Sequence, residues 1–387
     1  MGTYFVTAGR FFLPAGPARG GFLEVRDGRF GAWQAEEPEG AEVLDLSGSW
    51  VAPGYVDTHI HGYYGHATTD ADPAGLLEAS RRLAAKGTTS WLPTTFTGAV
   101  EDIRRECAAI REAAEAREAG STAARIQGIF LEGPFFTMKH VGAQNPAFLV
   151  DPSYEAFASW QEAAHGIIRR SALAPEREGT VGYVARLASE GVATALGHSD
   201  ATYDQCMAAV NAGATSFVHT YNGMRGLHHR EPGVVGAAMA TRDTYAELIC
   251  DGHHVSPAAV AAMVNAKGWQ HVALISDCLG CGGLPEGEYM SGGLPVVMRA
   301  GVCYLRDGGN IAGSTIALAQ AVKNVVDWGV ASPAEAVAMA TVVPARANHV
   351  EGLCGSITPG RDADFVVLTP QMEVRRTYVG GTLVPEE

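Results

Sequence analysis

Six side chains able to bind a metal ion or move a proton stand at the ends of apolar runs in this sequence. They are His59 and His61 in YVDTHIH, Glu132 in IQGIFLEG, His198 in VATALGHS, His219 in SFVHTYN and Asp277 in HVALISD. Side chains alternate along a strand, so His59 and His61 share a face. Two imidazoles on one face can ligate one ion or help hold a pair; alone, they read equally well as a hydrogen-bonded strand end. Glu132 is followed by Gly133-Pro134, which places its carboxylate on a rigid turn; alone it would be a cap. His219 opens HTYNGM, which runs on to HHREPG at 228–233, a polar loop denser than a plain core would use. Taken together, nitrogen and oxygen ligands with open coordination positions suit a catalytic divalent ion such as Zn²⁺. Such an ion lowers the pKa of bound water to about 7 and polarises a carbonyl. A free carboxylate nearby can take that water's proton and return it to the leaving group. The ensemble points to metal-dependent hydrolysis more strongly than any one motif.

These residues meet only if the elements carrying them converge. Eight strand candidates (YVDTHIH, SWLPTTF, IQGIFLEG, IIRRSALAPE, VATALGHS, SFVHTYN, YAELICDG and HVALISD) alternate with helical stretches such as AGLLEASRRLAAKG, VEDIRRECAAIREAAEA, VGYVARLASEG and PAAVAAMVNAKG. That rhythm predicts βα units closing into an eight-stranded barrel over 53–352, with the chemistry at the C-terminal strand ends. Both termini differ. Residues 1–52 and 353–387 alternate apolar and polar residues around Gly and Asp turns, which predicts antiparallel β structure. Each piece is too small for a core of its own, so both are expected to build one small β domain.

Composition narrows the function classes. The 387 residues carry a formal charge of −14, which argues against nucleic-acid or anionic-membrane binding. No apolar run of about 18 residues exists to span a bilayer, and no secretory signal opens the chain. Seven scattered cysteines then read as reduced thiols in the cytoplasm. Cys278 and Cys281 form a lone CxxC with no second pair at metal-binding spacing; they are read as small loop residues. His66, His140, His165, His271 and His349 lack partners in sequence and are read as structural. Phosphate-loop, nucleophile-elbow and dinucleotide-binding motifs are absent.

The segments PGYVDTHIHG, LEGPFF, LGHSDATY, HTYNGMRGLHHREPGVVGAA, DGHHVSP, ISDCLGCGGLPEGEY and IAGSTIALAQAV, in this order, resemble the N-acetylglucosamine-6-phosphate deacetylase family of the amidohydrolase superfamily. The resemblance implies an α/β fold, a distorted (β/α)8 TIM barrel with a small β-sandwich domain formed from both termini. It implies hydrolysis of an N-acetyl amino sugar phosphate to the free amine and acetate. Glu132, His198 and His219 would hold the main metal, with His59 and His61 available for a second, and Asp277 would shuttle the proton. Ala143, Asn222, Gly223, Arg230, His254, Ile311, Ala312 and Gly313 match substrate contacts. The ion would be Zn²⁺, with Fe²⁺, Mn²⁺ or Co²⁺ as alternatives, one or two per subunit. A homodimer is implied, in which the neighbouring subunit can supply a phosphate contact.

One position departs from the family pattern. Where the family reads Gly-Ala-His, this chain has Gly142-Ala143-Gln144. Glutamine donates through its amide but cannot become cationic, and losing a charge-assisted donor to a developing oxyanion costs on the order of 3 kcal/mol. Gln144 therefore keeps one rival alive, an amide hydrolase for another substrate such as N-acetylgalactosamine 6-phosphate; a second rival, a non-catalytic amino-sugar-phosphate sensor, is opposed by the retention of Asp277 and all the ligands. His140, four residues earlier, is an alternative donor. Gln144→His is expected to raise turnover on N-acetylglucosamine 6-phosphate; an unchanged or lower rate removes this position as the limit on catalysis.

Overall fold

In the computed structural model, residues 2–385 are described. The eight strand candidates all form parallel strands. Tyr55–Ile60 pairs with Thr88–Pro93, whose end bridges through Thr94 to Phe130 of the next strand. Ile129–Phe135, Ile168–Leu173, Ala193–Leu196, Ser216–Phe217, Tyr245–Ile249 and Val272–Ile275 then follow in chain order. The circuit closes where the Asp277 amide donates to the His59 carbonyl at 2.9 Å and the His61 amide to the Cys278 carbonyl at 2.8 Å. The successive strands are followed by the helices Pro73–Ala85, Val100–Glu115, Tyr154–Ala163, Thr180–Ser189, Tyr203–Ala212, Gly233–Ala240, Pro257–Lys267 and Leu318–Asp327. The architecture is α/β of the TIM-barrel type.

The local reasons are ordinary. Strands of a parallel sheet are covered on both faces, and Tyr55–Ile60, Thr88–Pro93 and Ile129–Phe135 are buried at every position, polar residues such as His59 and Glu132 included. Helix Val100–Glu115 buries Ile103, Cys107, Ile110 and Ala113, three or four residues apart, against that wall. Ser256 accepts from the Ala259 amide ahead of Pro257, which starts that helix.

Three strand ends leave ordinary backbone space. His198, His219 and Asp277 have left-handed φ values of 45°, 24° and 50°. Such conformations cost about 1–3 kcal/mol each and persist only when neighbours enforce them. Here the Thr137 amide donates to the His198 carbonyl at 3.1 Å, and the Ser314 amide to the Asp277 carbonyl at 2.7 Å. The His219 amide donates to Glu247 Oε2 at 3.2 Å. The bends turn these side chains off the strand axis toward the barrel mouth.

The termini build one eight-stranded sheet, ordered Thr382–Leu383, Val374–Val379, Phe365–Leu368, Val43–Pro53, Thr3–Leu13, Phe22–Arg26, Arg29–Gln34, with Gly16–Ala18 paired to Thr3–Leu13. Val6, Phe11, Leu23, Val25, Phe30, Val51, Phe365 and Val367 form a core of its own. One detail differs from the sequence reading. Thr3–Leu13 and Val43–Pro53 pair in parallel, not antiparallel, because the chain makes a hairpin on one side and then crosses to the other. The strands also join in one continuous hydrogen-bonded sheet. A further element was not foreseen. Gly287–Ser291, Leu294–Arg299 and Val302–Leu305 form an antiparallel sheet between the last barrel strand and its helix. Its first turn uses Gly292 and Gly293, both with positive φ, as a tight hairpin requires.

Gly133 sets the direction of Glu132. Its φ is +97°, and a β-carbon there would lie 2.2 Å from Thr97 Oγ1. Gly133→Ala is expected to lose about 1–3 kcal/mol from backbone conformation alone, with the clash in addition. Denaturant titration checks this; an unchanged midpoint would show that the bend is not needed.

Candidate active site

All six strand-end residues converge, and all are buried. Glu132 lies at the centre. Its Oε1 is 3.3 Å from His59 Nε2, 3.4 Å from His198 Nε2 and 3.0 Å from His219 Nε2. Its Oε2 is 3.2 Å from His61 Nε2. Asp277 Oδ1 lies 3.3 Å from His59 Nε2 and 3.2 Å from His61 Nε2. Two groups have ligand atoms within 4.8 Å of one another: His59, His61 and Asp277, and Glu132, His198 and His219.

The hydrogen bonds fix which imidazole nitrogen faces inward. His61 Nδ1 meets the Thr94 carbonyl at 3.1 Å, His198 Nδ1 the His140 carbonyl at 2.9 Å, and His219 Nδ1 the Asn222 carbonyl at 3.1 Å. His59 Nδ1 meets Glu247 Oε2 at 3.0 Å. These oxygens only accept, so each Nδ1 carries a proton and each Nε2 turns toward the centre, where a cation would take its lone pair. His198 Nε2 and His219 Nε2 stand 3.1 Å apart. Two lone pairs cannot bond each other; a cation between them satisfies both. His59 Nε2 is buried without a hydrogen-bond partner. The same demand for positive charge shows in the titration. Burial pushes the His59 pKa down, yet Glu132, Asp277 and Glu247 together hold it well above the usual imidazole value. Burial likewise opposes, and His59 with the neighbouring imidazoles outweighs it, in holding Glu132 well below the usual carboxylate range. The donor set fits a divalent metal ion.

Behind the ligands lies a layer that the sequence reading missed. Glu247, on the barrel strand Tyr245–Ile249, is buried and paired with buried Arg170, which stacks on Phe130. Burial raises the Glu247 pKa, but Arg170 and His59 carry it down to about 2. Asp57 accepts from the His59 and Ser276 amides; burial dominates there and pushes its carboxyl up to about 7. Phe96 stacks on the His61 ring, centroids 3.8 Å apart. The available signal was a charged residue inside an apolar run, Glu247 in YAELI and Arg170 in IRRSAL.

The ligands open into a cavity of about 350 Å³. Ala143, Gln144, Asn222, Gly223, His254, Ile311 and Gly313 line it, as do Phe96, Leu279 and Asn310. Ala312 is buried beside this wall and does not line it. His254 Nδ1 bonds Asp251 Oδ2 at 2.7 Å. Gln144 accepts from the Thr97 amide at 2.8 Å, so its oxygen is fixed and its Nε2 must face Glu132 Oε2, 2.7 Å away. One Nε2 hydrogen remains. His140 does not stand in for it: its ring turns to Asp200 at 3.2 Å, and only its carbonyl serves the site. Arg230 departs from expectation. It is exposed, contacts His229 at 2.8 Å and does not line the cavity. Among the described residues no arginine or lysine lines it. The Cys278 thiol points to the Leu279 carbonyl, and Cys281 lies 3.9 Å from Cys303, so the CxxC does not act as a pair.

The amidohydrolase family model matches residues 50–384. The chain belongs to the amidohydrolase family. It is 38% identical to an N-acetylgalactosamine-6-phosphate deacetylase of Escherichia coli O157:H7, over 93% of this chain and 94% of that one. It is 38% identical to an N-acetylglucosamine-6-phosphate deacetylase of Vibrio furnissii, over 89% of this chain and 85% of that one. A solved structure of a Mycobacterium smegmatis N-acetyl-D-glucosamine-6-phosphate deacetylase mutant, in complex with N-acetyl-D-glucosamine-6-phosphate, superposes with a TM-score of 0.93 at 31% identity, covering 99% of this chain and 100% of that one. Within the amidohydrolases the chain groups with these deacetylases.

Because Glu132 touches every imidazole of the cluster, its loss should matter more than that of any one histidine. Metal analysis of the purified protein should find that His61→Ala lowers divalent metal content partly and Glu132→Gln lowers it further. Equal content in both variants would contradict this ranking.

Proposed function

We propose that this chain hydrolyses the acetamido group of N-acetyl-D-glucosamine 6-phosphate, giving D-glucosamine 6-phosphate and acetate. The observation that carries the reading is the convergence of four inward Nε2 atoms with Glu132 and Asp277 at the mouth of the barrel. The names of the relatives, and the sugar phosphate bound in the mycobacterial structure, supply the substrate class. Glu132, His198 and His219 would hold the first ion, and His59 and His61 with Asp277 the second. Zn²⁺ is the first choice, with Fe²⁺, Mn²⁺ or Co²⁺ as alternatives. A divalent ion there lowers the pKa of water and draws electron density from a carbonyl.

The chain's own residues do the rest. Asp277 Oδ takes a proton from the attacking water and delivers it to the departing amine as the C–N bond breaks and the new C–O bond forms. The free Nε2 hydrogen of Gln144 is the donor for the substrate carbonyl oxygen; as a neutral amide it develops less stabilisation than a cationic imidazole. Asn222, Gly223, His254 and the segment 311–313 hold the sugar. We infer that the phosphate is met by His254 within one subunit and by Arg230 of the partner subunit in a homodimer, since the cavity wall carries no arginine of its own. We also infer a distorted (β/α)8 barrel over 53–352, a β-sandwich domain over 1–52 and 353–387 formed by the terminal sheet folding over its core, and a cytoplasmic location. No helix among the described residues is long and apolar enough to cross a membrane.

The Escherichia coli relative's name supports N-acetylgalactosamine 6-phosphate as the second reading. The test is acetate release from both sugar phosphates and their unphosphorylated forms, with and without chelator. The expected result is a preference for the glucosamine compound, loss with chelator, and a loss of about 10²–10⁴-fold in Asp277→Asn. A higher rate on the galactosamine compound would move the substrate assignment. Near-normal turnover in Asp277→Asn would remove the proton-shuttle role.

A further inference from the structure

We infer that Glu247, backed by Arg170, is a positioning residue that readies the second metal position by holding the tautomer and aim of His59. The inference rests on the two-ion reading above and assigns it a supporting pair outside the ligands.

Three contacts carry it. Glu247 Oε2 meets His59 Nδ1 at 3.0 Å, and at that distance a carboxylate fixes the proton on Nδ1 and leaves the Nε2 lone pair toward Asp277 and Glu132. The same oxygen accepts the His219 amide at 3.2 Å, so one carboxylate holds a ligand from each metal group. The other oxygen pairs with Arg170, which is fully buried and pressed on Phe130. The other three site histidines give Nδ1 to backbone carbonyls. His59 alone is served by a charged side chain, which raises ligand basicity more than a carbonyl does. A buried ion pair is weak support for stability, since an apolar pair of similar volume does as well or better. Its placement behind a ligand gives it a different task.

Both members must be changed together, because removing one leaves an unpaired buried charge that threatens folding. The test uses as-purified holoprotein, equilibrated against a graded zinc-buffering chelator, with retained Zn²⁺ counted at each step and the melting temperature recorded alongside. Wild type should release two ions in two steps. Glu247→Leu with Arg170→Met leaves the His59 Nδ1 proton without an acceptor. It should release the weaker ion at about 10–100-fold higher free Zn²⁺, the other step shifting much less. Glu247→Gln with Arg170→Met retains an accepting oxygen and should fall between, whatever the two melting temperatures are. Variants that match wild type in both steps overturn the inference alone. So does a variant pair that loses both ions together in proportion to its melting temperature. Wild type that holds a single ion overturns the two-ion reading and this inference with it.

Discussion

Two carboxylates and four imidazole lone pairs share a site nearly closed to water, and that arrangement is unfavourable until a cation joins it. Each buried ion costs several kcal/mol of lost hydration, recovered only by close partners of opposite charge. Every site histidine has already given its Nδ1 proton to an oxygen, so all four Nε2 atoms face Glu132 and Asp277 as acceptors. Protonating His59 would supply positive charge, and the carboxylates pull in that direction. A divalent ion supplies it to several Nε2 atoms and carboxylate oxygens at once. The fold reads as a device for holding this imbalance in place.

The barrel does so with unfavourable local geometry enforced from outside. Left-handed backbone at His198, His219 and Asp277 turns three strand ends inward. Each bend is secured by a group of a different segment, a backbone amide at His198 and Asp277 and the Glu247 carboxylate at His219, so no one strand holds its own ligand. Gly133 performs the corresponding task for Glu132, where a side chain would strike Thr97. The loop 138–145 answers from above. The His140 carbonyl fixes His198, and the Gln144 side chain spans Thr97 and Glu132. Gln144 thus keeps the site hydrogen-bonded: its amide has a fixed sense and still offers one hydrogen.

The charge of the molecule bears on its substrate. A chain with a net charge of −14 repels an anionic ligand at long range, and the cavity wall adds no arginine or lysine. Under the proposed reading, what would attract a phosphate must therefore be local: a divalent ion held at the floor, His254 at the wall, and a cation from the partner subunit. The exposed position of Arg230 follows that logic better than a place in its own subunit's cavity would.

The sequence by itself determined the eight strands, the helices between them and the six strand-end side chains, because apolar periodicity and polar punctuation are local signals. It also exposed the substitution at Gln144. It did not reveal the parallel crossover of the terminal sheet or the antiparallel insertion that carries Ile311 and Gly313 to the cavity, because strand pairing depends on which segments meet across the chain. Nor did it mark Glu247 and Arg170 as more than charged residues in apolar runs. Only the tertiary structure brought Glu247 to His59, 188 positions away in the chain, and placed Arg230 outside the cavity. A side chain's role depends on the field and partners at its tip, and these are assembled by the closure of the barrel.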